Sequence, residues 1–192
     1  MEADWEFEVG GDAPVIDACW SGFVDLRLAP ERAWGLVEVG EVPALAAALE
    51  RLNSPGSQVW TSKCDFWPEL GRAEFDPDEL DAPPGSSAHA VCCYVDILSR
   101  DDRRWPLPHL AEAACRHLCD LLATAPLRCC RIDLVIRRAT IIPDRMELGV
   151  TAYVTACGST PKQAMDALGT ALAAFADALC AGSTLERESM GE

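Results

Sequence analysis

An α+β fold, with an antiparallel sheet of about six strands and about three helices packed on one face, is predicted by three features of the sequence. Six runs are rich in β-branched and aromatic residues and partly alternate between apolar and polar positions. Three further segments carry apolar residues at helical spacing. The two kinds of segment are ordered as strand pairs followed by helices, which favours antiparallel neighbours over a doubly wound parallel sheet.

The strand runs are Trp5 to Val9, Val15 to Arg27, Gln58 to Trp67, His89 to Ser99, Cys129 to Ile142 and Glu147 to Cys157. The first helix is expected over about 42–52, with Leu45, Leu49 and Leu52 on its apolar side. The second, about 108–123, carries Leu110, Ala114, Leu118, Leu121 and Leu122. The third has the clearest signature: Thr160 as N-cap, Pro161 at the first helical position and Gln163 to close a capping box. Its stripe of Met165, Leu168, Leu172, Phe175 and Leu179 ends before Gly182. From His89 the β-α-β-β-α order matches a ferredoxin-like unit without its final strand, which the first half can supply.

The length of 192 residues fits a single domain over 1–182, with a flexible tail at 183–192. The best place for an internal boundary is the acidic, proline-rich loop 74–87, EFDPDELDAPPGSS, which reads as a solvated connector. The mixed-charge stretch 99–108 links into the second helix.

Hydrophobic residues make up 49% and charged residues 24% of the chain, as in ordinary soluble globular proteins. With 16 Lys and Arg against 31 Asp and Glu, the formal charge of −15 repels phosphate backbones and anionic lipid. Nucleic acid and membrane are therefore not expected partners. The N-terminus carries no signal-peptide pattern, so the protein is expected to be cytoplasmic, with its ten cysteines reduced. The Ala, Arg and Gly content fits a GC-rich bacterial genome.

The stretch VWTSKCDFW, residues 59–67, holds a cation, a thiol and a carboxylate side by side. Strand alternation predicts that Lys63 and Asp65 face one way with Thr61, and that Cys64 faces the other way with Trp60, Ser62 and Phe66. Cys64 is then a core thiol rather than a nucleophile activated by Lys63. The same alternation puts Arg131, Asp133 and Arg137 on one face of their strand, Asp17, Ser21, Asp25 and Arg27 on another, and Thr151, Tyr153 and Thr155 on a third. A recurrent mixed-charge sheet face is the expected ligand or partner surface, with Lys63, Asp65, Arg131, Asp133, Arg137 and Tyr153 as its binding residues.

The strand-to-helix junction TACGSTPKQ is a second candidate. Ser159, Thr160 and Lys162 surround a helix N-terminus suited to an anion, and a helix end of this kind lowers the pKa of a cysteine such as Cys157. Cys157, Asp65 and Asp133 are accordingly the candidate catalytic residues of an enzyme acting on an anionic small molecule. The charge alone suggests a third class, an acidic inhibitor or immunity-like protein for a basic partner. The cysteines form no CxxC motif, and each Cys-Cys pair (92/93, 129/130) sends one thiol to each strand face, so no metal and no cofactor is expected. His109 and His117 lie about 12 Å apart along one helix, from the rise per residue, and His89 begins a strand. None of the three completes a catalytic constellation, and a homo-oligomer is compatible with everything above.

Overall fold

The computed structural model describes residues 2–40, 42–71, 74–101, 105, 107–142 and 145–189. The elements run β1 (Glu2–Glu8), β2 (Val15–Asp17), α1 (Pro43–Leu52), β3 (Val59–Trp67), β4 (His89–Ser99), α2 (Pro108–Ala123), β5 (Cys130–Ile142), β6 (Arg145–Gly158) and α3 (Pro161–Ser189). Two short 3-10 turns, Pro30–Gly35 and Val37–Val39, precede α1. Helix α3 continues past Gly182. Residues 102–104 and 106 of the 99–108 link, and residues 190–192 of the tail, lie outside the described residues.

The strands form one sheet in the order β1-β5-β6-β4-β3, with β2 also on β5. The expectation of a purely antiparallel sheet is corrected to a mixed one. β3–β4, β4–β6 and β6–β5 are antiparallel, but β1 and β2 both pair parallel to β5. The first strand pair, expected to be antiparallel neighbours, does not pair with itself: the two segments follow one another along the same neighbour, Glu2–Glu8 against 131–137 and Val15–Asp17 against 138–140. The long run predicted over 15–27 shortens to three residues, after which the chain leaves the edge and crosses the sheet. A ferredoxin-like order does not follow from this topology as it stands, since the edge strands lie outside that pattern.

All three helices pack on one face. Their buried side chains share a core with Cys93, Val95 and Ile97 of β4, Ile132, Leu134 and Ile136 of β5, and Val150, Ala152 and Val154 of β6. These positions alternate along each strand, as pleating requires. The buried residues of α1 are those expected, Leu45, Leu49 and Leu52, with Ala46 and Ala48. In α2 Leu118 and Leu122 are buried as expected, but Ala111 and Cys115 take the buried places expected of Leu110 and Ala114, and Leu110 is exposed. α3 buries Ala164, Leu168, Ala171, Leu172, Phe175 and Ala176.

Asn53, fully buried, ties α1 to the sheet. Its amide donates to Leu49 O (2.8 Å) and Thr61 Oγ1 (2.7 Å), and its Oδ1 accepts from Thr61 N–H (3.0 Å). Arg100 closes the same corner by donating to Val59 O (2.9 Å) and Asn53 O (2.5 Å).

Candidate functional site: the uncovered sheet face

The sheet face turned away from the helices is covered at its two ends by loops. At one end Ile16, Ala18, Trp60, Leu98 and Ala139 form a small core, joined by Phe23. Gly149 belongs to this packing: a Cβ there would come within 2.8 Å of Ile16 Cδ1 and Leu98 Cδ2. At the other end Leu80, Ala90 and Cys157 are buried together, with Leu70, Phe75, Ala82 and Cys129 packed against them. The acidic loop 74–87 is thus more than a solvated connector, because Phe75 and Leu80 anchor it onto the sheet.

Between these ends lies a polar strip. Asp4, Asp133, Tyr153, Tyr94 and Asp65 occupy one row across β1, β5, β6, β4 and β3. Arg131 Nε donates to Asp133 Oδ1 (2.6 Å), while its Nη1 pairs with Glu79 of the loop (2.8 Å) and lies 3.7 Å from Glu2. Burial pushes the Asp133 carboxyl above its ordinary pKa, and the hydrogen bond from Arg131 works against that rise. Farther along β5, Arg137 donates to Glu8 (2.7 and 3.0 Å), to Thr151 Oγ1 (3.2 Å) and to the Tyr153 hydroxyl (3.1 Å). Thr151 in turn donates to Asp96 (2.6 Å), whose carboxyl is held above its ordinary pKa by burial. The rings of Trp67, Tyr94 and Tyr153 continue the strip across three strands, at centroid distances of 5.6 and 5.9 Å.

The expected facing of Thr61 and Trp60 requires a correction, whereas Asp65 lies opposite to Cys64 as expected. The register shifts between Thr61 and Cys64, and this bulge breaks the alternation assumed for VWTSKCDFW. Thr61, bonded to Asn53, sits on the helix side, while Trp60 is on the uncovered face. Beyond the bulge Cys64 and Phe66 return to the helix side, and Asp65 pairs in register with Tyr94. Burial pushes the Cys64 thiol up to about 12, so it is a neutral core side chain. Lys63 is exposed, 5.9 Å from the Trp20 ring. Asp65 shares a row with Asp133 but stands three strands away, about 14 Å from the usual strand spacing, so the two are not neighbours.

The junction 157–162 is internally satisfied. Gln163 N–H donates to Thr160 Oγ1 (3.2 Å), and Gln163 Oε1 accepts from Ser159 N–H (3.1 Å) and from the Ser159 hydroxyl. The capping box therefore reaches one residue farther back than its standard form. Lys162 pairs with Asp166 one turn along α3 (2.6 Å). Cys157 is 1% exposed, and burial pushes its thiol up to about 12, opposite to the direction that a nucleophile needs. Gly158 is required here, since a Cβ would lie 2.5 Å from Ala164 N.

Sequence reasoning named Arg131 and Asp133 but missed the carboxylates that face them across the site. A trough of about 280 Å³ lies between β1, β5 and the 74–80 segment, lined by Asp4, Glu6, Glu74, Asp76, Glu79 and Asp133 with Arg131 as the cation among them. The available signal was the alternation of Glu2, Asp4, Glu6 and Glu8 along β1, together with Phe75 and Leu80 inside an otherwise polar loop. Among the described residues no group of three or more His, Cys, Asp or Glu is placed to hold a metal ion. All ten cysteines are free thiols, and the three histidines are exposed. Among the described residues no helix is long and apolar enough to cross a membrane. Comparison with protein-family models, curated proteins and solved structures finds no match.

Proposed function

We propose that the protein is a binding module whose uncovered sheet face receives a basic partner, either a small cationic ligand or a basic protein segment, in the trough under the 74–80 segment. The supporting observation is the lining of that trough: six acidic residues surround one arginine whose guanidinium is already shared with Asp133 and Glu79. The local field is therefore negative, as is that of the whole chain at −15, and it attracts cations and orients them on approach. In this reading the mixed-charge face and the inhibitor-like alternative become one. A second copy of the chain would bring carboxylate against carboxylate at this face, so the expected partner is a different molecule. The enzymatic alternative at 157–162 draws no support from a buried thiol and a self-capped helix.

In the same reading residues 1–182 act as one α+β unit. β4, α2, β5 and β6 form a ferredoxin-like split β-α-β core, β3 closes it on one side, and β1 and β2 extend it on the other.

Titration with hexalysine tests the proposal. Binding is expected to weaken at least tenfold between about 50 and 300 mM salt. The triple variant Asp4→Asn, Glu6→Gln, Asp76→Asn is expected to lose far more affinity than Glu50→Gln, Glu112→Gln, Asp120→Asn, which removes the same formal charge from the helices. Equal losses in the two variants would mean that attraction is diffuse and the trough is not the site.

A further inference from the structure

At the end of the sheet where Leu80 and Ala82 of the acidic loop pack, two cysteines stand together in one small cluster. The β5–β6 register pairs Cys130 with Ala156, and one step farther Cys157 N–H donates to Cys129 O (2.8 Å). Cys129 and Cys157 therefore extend the ladder by one pair, with their side chains on the uncovered face like those of Arg131 and Thr155. Facing residues of an antiparallel pair are about 4.5 to 5.5 Å apart at Cα, within the roughly 4.4 to 6.8 Å that a disulfide spans. The two thiols lie within hydrogen-bonding reach of each other. Cys129 has φ +58°, a left-handed conformation that residues other than Gly, Asn and Asp seldom adopt, and strain of this kind gathers at sites that use it. Cys129 is partly exposed, whereas Cys157 is 1% exposed. Cys130, the chain neighbour of Cys129, is buried in the helix-side core, and Cys92 on β4 stands only diagonally from Cys157.

We infer that Cys129 and Cys157 form a thiol-oxidation site, which a hydroperoxide converts to an intramolecular disulfide. With hydrogen peroxide, the Cys129 sulfur attacks one oxygen, the O–O bond breaks, and Cys129 becomes a sulfenic acid while the other oxygen leaves as water. The Cys157 sulfur then bonds to the Cys129 sulfur, the S–O bond breaks, and the hydroxyl departs with the Cys157 proton as a second water. The two thiols give up two electrons and two protons, and the peroxide takes both. Access sets the order, because burial keeps the Cys157 thiol protonated and only Cys129 meets the oxidant. The inference is independent of the basic-partner reading, since neither cysteine lines the trough.

The test treats the whole protein, at low concentration, with an equivalent of hydrogen peroxide. The remaining thiols are then blocked with N-ethylmaleimide, and the chain is digested with trypsin in the absence of reductant. Trypsin releases Cys129 and Cys130 in the peptide 129–131 and Cys157 in the peptide 146–162. Mass spectrometry is expected to find these two peptides joined, about five times as abundant as any other linked pair, and dithiothreitol to separate them. Cys130→Ala is expected to keep the link and Cys129→Ser to abolish it. In Cys157→Ala, Cys129 is expected to stop at the sulfenic acid, which dimedone traps. The inference is overturned if 146–162 stays unlinked, if it is joined to the peptide that carries Cys92, or if the link survives in Cys129→Ser. Digestion of the wild type needs no variant and stands even if a substitution disturbs folding.

Discussion

Arg131 joins the sheet to the loop that roofs the trough, and replacing it with methionine separates that role from simple packing. Methionine keeps much of the aliphatic length while removing the charge. The wild-type side chain is 19% exposed and makes two ion pairs of hydrogen-bond length, 2.6 Å to Asp133 and 2.8 Å to Glu79, with Glu2 farther off at 3.7 Å. A charge-assisted hydrogen bond contributes about 1.5 to 3 kcal/mol when shielded, and an exposed ion pair about 0 to 1. The Asp133 side chain is 34% exposed and that of Glu79 55%, so the first pair is set near the bottom of the shielded range, at about 1.5 kcal/mol, and the second at about 0.5. Arg131→Met should therefore cost about 2 kcal/mol, or a melting temperature lower by about 4 to 8 °C in a chain of this size. Urea denaturation at low and high salt provides the assay, with Glu79→Gln expected to lose only about a quarter as much. If Arg131→Met is as stable as the wild type within about 0.5 kcal/mol, the strut assigned to Arg131 does not exist.

Asn53→Ala should cost about 3 kcal/mol, because the buried Thr61 N–H loses its acceptor along with two further hydrogen bonds, and a chemical-denaturation loss below about 0.5 would refute that account. Asp96→Asn should become more stable relative to the wild type as pH rises. Burial raises the folded-state pKa of Asp96, so its favourable contribution is full below the ordinary aspartate range and is lost as pH climbs through the raised value, whereas asparagine still accepts from Thr151 and does not titrate. A difference between the two proteins that stays flat from about pH 3 to pH 8 would contradict this direction.

Local periodicity was enough to find α3 with its cap, the three central strands and the separation of charged from apolar faces. Each of these depends on contacts within one segment or on the simple alternation of a strand. The parallel placement of β1 and β2 was not legible, because Glu2 meets Arg131 across most of the chain and nothing in residues 2–17 names that neighbour. The bulge at Ser62 and Lys63 was hidden for a different reason. Polar residues at successive positions fit either a regular strand or an inserted residue, and only the pairing with β4 decides between them. The rotated stripe of α2 reflects which side the helix turns to β1 and the core, so Cys115 displaces Ala114 and Leu110 is left in solvent. For the candidate site, Arg131 and Asp133 were visible as alternating charges on one strand. The carboxylates facing them were not, because β1 and the 74–80 segment reach the trough only through the tertiary fold.

The most direct measurement of the central claim is amide hydrogen exchange with and without bound hexalysine. Protection is expected to concentrate in residues 2–8, 74–82 and 131–135, with α1 and α3 unchanged. Protection spread evenly over the acidic surface, or centred on the helices, would contradict the assignment of the sheet-face trough as the binding site.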